Sequence, residues 1–184
     1  GTLNVSGLTT FSGGTMSGAG ITNANGGLEI GGDGTKIIST RTLNNPGDAT
    51  WTGTGDLRFW SGGIFNNIGT FDAPNGRIIS TQFGGGSFNN IGTFTRSEGE
   101  GNAQVNAIFN NSGLVTVTGG SLGLGGGGVS SGTFTVSAPG TLIFNGGVHT
   151  LNDDSIVNGD GTYRVFSNQF GSVDITGTYD VAGL

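Results

Sequence analysis

The residues able to do chemistry are few and dispersed. Twelve acids, six bases and a single His are spread over 184 positions, and there is no Cys. The adjacent carboxylates Asp153 and Asp154 would point to opposite sides of a strand, and in a turn they could meet Asp160 only through the fold. Lys36 and the five Arg are scattered along the chain. His149 lies in Val148-His149-Thr150-Leu151, where alternation puts it on the outside as a solvated side chain, with no Ser or Cys at a spacing that would make it a general base. Gly31-Gly32-Asp33-Gly34 and Asn158-Gly159-Asp160-Gly161 could supply calcium oxygens if such units were stacked in tandem. They stand alone, so they read as turns. Asn4-Val5-Ser6 and Asn110-Asn111-Ser112 match the glycosylation acceptor pattern. These residues predict no catalytic, cofactor-binding or metal site, and a protein that is not an enzyme.

Composition narrows the class further. Gly makes up 41 residues and Pro only 3, which fits neither a collagen triplet nor an ordinary globular mixture and points to many sharp backbone turns. The net charge of −6 with a single Lys argues against a nucleic-acid partner, since phosphate contacts need clustered bases. No apolar run approaches the length of a membrane span. The absence of Cys rules out a disulfide framework and is compatible with export. The length suits a single domain, residues 1–184, and the start at Gly-Thr-Leu-Asn-Val, without Met or a leader, suggests a segment of a longer chain or fibre.

The element that must position these residues is a repeat. FNNIGTF occurs at Phe65 to Phe71 and again at Phe88 to Phe94. Phe109-Asn110-Asn111-Ser112-Gly113-Leu114 restates it, Leu43-Asn44-Asn45-Pro46-Gly47 anticipates it, and Ile21-Thr22-Asn23 is a fainter copy. Between the copies runs Gly-Thr-apolar-x-apolar, as in Gly132 to Val136 and Gly177 to Val181, with the period of a strand buried on one face. No segment carries a helical period. Hairpin proteins gain nothing from strand identity, whereas a solenoid sets the same motif directly above itself. The fold predicted is all-β: a right-handed parallel β-helix of about 21 to 23 residues per coil, three short strands per coil and roughly eight coils.

In that fold Phe65, Phe88 and Phe109 stack inward as an aromatic ladder, and Phe71, Phe94 and Phe134 begin the next inward strand. The pairs Asn44-Asn45, Asn66-Asn67, Asn89-Asn90 and Asn110-Asn111 are expected at the corner, in left-handed backbone, bonding amide to amide between coils. Gly69, Gly92 and Gly113 are expected to take the turn that a side chain forbids. Thr flanks Trp51, Phe94, Val117 and Phe134 on the outer face, broken at corresponding positions by Asp72, Arg164, Asp180 and Ile143.

FNNIGTF, GTFTVSAPGTLIFNGG and the lack of Cys together resemble the repeat regions of bacterial surface and secreted proteins, of the filamentous-haemagglutinin-like adhesin or autotransporter passenger type. The resemblance implies an extracellular or cell-surface stalk, fibre segment or adhesive surface and carries over no site residue. Its expected partners are flanking coils of a longer chain, further copies joined end to end through open edges, and a surface glycan or host cell-surface ligand. Two other solenoid functions stand as alternatives: binding or cleavage of polysaccharide, and ice binding by the Thr array.

Overall fold

The computed structural model describes residues 1–74, 76–97, 101–166 and 171–181. Most strands among them are short, all pair in parallel, and no helix occurs among these residues. They stack as a solenoid of about eight turns with three faces. The third face is a sheet of nine described strands, from Thr9–Thr10 through Thr93–Arg96 to Thr178–Val181. The first two faces form one sheet, because the long strands Gly14–Ala24 and Lys36–Asn45 run through the corner between them. From Leu57–Trp60 and Gly63–Asn67 onward a break separates those two faces.

Each turn places its residues over those of the turn below. Phe65 pairs with Phe88 and Phe88 with Phe109, while Asn67, Asn90 and Asn111 align in the same register. The spacing is looser than the repeat suggests: Val115 lies over Phe134 after only 19 positions, as Thr9 lies over Leu28, against 23 between Phe71 and Phe94. Loop length varies because the inserted residues leave at corners, where they disturb no row. The interior is one continuous apolar column, with Leu43, Phe65, Phe71, Phe88, Phe94 and Leu122 all essentially inaccessible.

Among the described non-glycine residues, left-handed backbone occurs at a different corner from the one expected. Thr40, Ser61 and Phe83 have φ of 56°, 51° and 50°, and they follow Ser39, Trp60 and Gln82, which align in successive turns. Three turns therefore make the same strained bend between the first and second faces. The paired Asn are the last residues of extended strands. Gly69, Gly92 and Gly113 do not have positive φ either. A Cβ at these three would overlap the carbonyl oxygen of Gly47, Gly69 and Gly92, so glycine is needed there because the coils approach closely.

Candidate functional site

The two Asn of each pair have different roles, since a strand sends successive side chains to opposite faces. The second of each pair points inward. Asn45, Asn67, Asn90 and Asn111 are buried, and each of the first three Nδ2 groups donates to the Oδ1 one turn on, at 2.9, 2.8 and 2.8 Å. The remaining N–H of those amides goes to the carbonyls of Thr70, Thr93 and Leu114 at 2.8 to 2.9 Å, which ties the second face to the third across the corner. At the far end Asn111 donates to the Thr133 carbonyl and its Oδ1 accepts from Gly113 N–H. At the near end the row changes to Ala24, and Asn45 Oδ1 has no partner among the described residues.

The first Asn of each pair forms an outer ladder of opposite polarity. Asn23, Asn44, Asn66, Asn89 and Asn110 each donate Nδ2 to the Oδ1 one turn back, beginning at Asn4, over 2.7 to 2.9 Å. No second acceptor for these amides is present among the described residues. Asn66, Asn89 and Asn110, with Ile91, Ser112 and Val129, line a shallow groove of about 300 Å³ on the outside of the second face. Ile91 and Val129 are about half exposed there, so the groove sets amide groups beside aliphatic ones.

Inside, two aromatic columns interlock. Phe65, Phe88 and Phe109 stack with centroids 4.8 and 5.6 Å apart, and Phe71 stacks on Phe94 at 5.3 Å. The columns meet edge to face at 5.2 to 5.6 Å. Phe134 lies in the same row as Phe71 and Phe94, but Val115 comes between, and it contacts Phe144 at 5.9 Å instead.

Three basic side chains stand in the inward rows. His149 overturns the outward placement: it is buried, because in Val148-His149-Thr150-Leu151 it shares its face with Leu151 and leaves Val148 60% exposed. Its Nε2 lies 3.1 and 3.0 Å from the carbonyls of Leu124 and Gly146, so this nitrogen carries the proton, and burial pushes its pKa down. Lys36 donates to the carbonyl of Gly32 at 2.9 Å, and burial lowers its pKa despite Asp33 and Asp56. Arg96 donates to the carbonyls of Pro74 and Gly101 at 2.6 and 3.3 Å. Each basic group donates to backbone carbonyls at the corners, and those of Gly32, Gly101 and Leu124 also accept an N–H from the next coil.

The acidic residues are not drawn together. Asp153 and Asp154 are exposed in a turn, and Asp160 accepts from the N–H of Ala138 at 3.0 Å. Asp33 sits in an exposed bend, and among the described residues no group of three His, Cys, Asp or Glu could hold a metal ion. On the third face Asp72 and Asp180 share a row with Thr95 and Thr135, whereas Ile143 and Arg164 belong to the first face. Sequence reasoning missed the inward basic residues altogether. The shared face of His149 and Leu151 was a signal that could have found one of them.

No protein-family model, no curated protein and no solved structure matches this chain.

Proposed function

We propose that this chain is a structural and adhesive β-solenoid working outside the cell, as a length of stalk, passenger or fibre in a bacterial surface protein. One observation carries the reading. Over about eight turns each strand lies parallel on the strand of the turn before, around one continuous apolar interior. A stack of this kind is extended by any further coil of the same cross-section. The mechanism is mechanical: each coil is stabilised by its neighbours, so length can be added without redesign. The groove of amide and aliphatic groups on the second face offers the flank hydrogen bonds and apolar contact for a surface glycan.

An antibody against the segment, applied to surface, secreted and internal fractions of the source cells, tests this. The segment is expected in the surface or secreted fraction and to be lost when intact cells are treated with protease. Confinement to the internal fraction would overturn the reading. The denatured mass of the same band separates a stalk many times longer from a fibre subunit of about this size.

A further inference from the structure

The outward side of the second face carries a pattern that extends well beyond the groove. The outer Asn ladder runs along it from Asn4 through Asn23, Asn44, Asn66 and Asn89 to Asn110. Asn23, Asn44, Asn66 and Asn89 each spend one N–H and one oxygen lone pair on the ladder, and no partner for the others is present among the described residues. An amide is planar, so with those bonds directed along the rod the remaining N–H and lone pair point away from it. The face thus offers the same donor and acceptor at every coil, about 4.8 Å apart.

Two positions earlier on each strand runs a second outward row. It reads Thr2, Ile21, Thr42, Ile64, Ser87 and Ile108, each paired with the one before. Hydroxyl and aliphatic side chains alternate strictly, with a period of two coils or about 9.6 Å. Folding does not require this, since exposed strand positions accept Thr and Ile alike. Ile68 and Ile91, about half exposed, flank the ladder on its other side. Neither outward row holds a charge in these six turns. The other faces do: Arg58 and Arg164 stand on the first, and Glu29, Asp48, Asp72 and Asp180 on the third.

We propose that the second face binds an extended, uncharged β-1,4-linked glycan laid along the rod, one sugar to a coil. The proposal rests on the reading of the groove as a glycan site and adds the class of the ligand and its direction. A pyranose linked equatorially at both ends advances by nearly the coil spacing, and its hydroxyls both donate and accept, as the outward amide edge requires. Successive sugars are related by a half turn, so one row of the protein meets a protruding hydroxymethyl group at every second coil. Thr and Ser give that group room and a hydrogen bond, while the Ile between them pack against ring C–H groups. An α-linked chain coils and loses this register, and an acidic chain finds no cation in either row.

Side-chain amide resonances of the nitrogen-15-labelled 184-residue chain, titrated with cellohexaose and with chitohexaose, test it. At least one of the two should shift the amides of Asn23, Asn44, Asn66 and Asn89 and leave the buried Asn67 and Asn90 unmoved. Maltohexaose, which is α-linked, should shift none. The corresponding β-linked disaccharide should bind about tenfold more weakly or worse, because it reaches only two coils. Thr42→Ile combined with Ser87→Ile makes the second row aliphatic throughout. It should weaken binding of the hexamer about tenfold without lowering the thermal midpoint, since two hydroxyl contacts are lost and strand propensity is kept. Thr116→Asp, on the third face, should leave binding unchanged. Absence of shifts with both β-linked hexamers would overturn the proposal, as would equal shifts with maltohexaose or binding that ignores the double variant. Outer-amide shifts that grow with protein concentration alone would overturn it in favour of a second copy on this face. None of these results bears on where the protein is found, which fractionation decides, so the two failures are told apart.

Discussion

Two stretches of the same rod are held together differently. On the second face, from Phe65 to Asn111, successive turns repeat the same inward side chains, so that Asn lies on Asn and Phe on Phe. From Gly128 onward the strands pair in the same parallel register, but the rows change. Asn111 is followed by Ser130, Leu151 and Ile175, and Phe109 by Gly128, His149 and Val173. Backbone pairing is therefore indifferent to identity, and the two stretches show where identity matters. An aliphatic residue can lie over a different one at little cost, whereas a buried amide needs a neighbour that both donates and accepts. Repetition is strictest where the interior is polar.

The largest break in this contrast comes from the aromatic columns. Phe88 touches stacked neighbours above and below and two further rings edge on. Phe88→Ala should lower stability by about 4 kcal/mol, and Val157→Ala in the later turns by about 2 kcal/mol. Urea midpoints of the two variants measure the difference. Equal losses would mean that the columns add nothing beyond ordinary burial.

The two Asn ladders provide the next test, because they share chemistry and differ in burial. Asn67→Ala removes the acceptor for Asn45 and the donors to Asn90 and to the Thr93 carbonyl, all shielded from water. A loss of about 3 kcal/mol is expected, since each buried orphan costs about 1 kcal/mol or more. Asn89→Ala cuts the outer ladder, where water replaces the lost partner, and should cost less than about 1 kcal/mol. If denaturant unfolding ranked the two the other way, the assignment of inner and outer roles would be wrong.

These roles mark how far the sequence could be read. The repeat of FNNIGTF was enough for the solenoid, its parallel stacking and its number of turns, because identity at one spacing has few other physical causes. It also placed Phe65, Phe88 and Phe109 in one column. It could not say which corner bends left-handed, since Thr40, Ser61 and Phe83 share no residue type and only the backbone register aligns them. Nor could it separate the demands on Gly69 and Gly92, because close approach of two coils leaves the same glycine in the sequence as a positive φ does. The buried Lys36 and Arg96 were hidden for a similar reason. Their acceptors are carbonyls of corner residues distant in the chain or at the turn itself, and a carbonyl has no signature in sequence.

A smaller and opposite effect is expected where the inner ladder begins. Asn45 Oδ1 is buried without a partner among the described residues, and the residue one turn back in its row is the fully buried Ala24. Inner amides donate toward the C-terminal end, so an Asn at position 24 would direct its Nδ2 at that oxygen. Ala24→Asn should raise stability by about 1 kcal/mol if the extra amide fits the row as its successors do. A drop in the thermal midpoint would show that the interior at that turn is too narrow for the ladder to continue.

The smallest effect concerns the later turns, where a His occupies a row that holds Phe earlier. Burial depresses the folded-state pKa of His149 below the ordinary 6.5, although the carbonyls of Leu124 and Gly146 favour the charged form. Above 6.5 the imidazole is neutral whether the chain is folded or not, and its contribution to stability is complete. As pH falls below that value the unfolded chain takes up a proton that the folded one resists, so stability declines until the folded-state pKa is reached. Gln in place of His149 can donate to the same carbonyls and does not titrate. Between about pH 7 and about pH 5 the wild type should therefore lose more stability than His149→Gln, the carboxylates being common to both. Parallel profiles would mean that the ring is hydrated when the rod is folded. Divergence confined to this window would show that the later turns tolerate a titratable group because its neutral form fills the row as an aromatic ring.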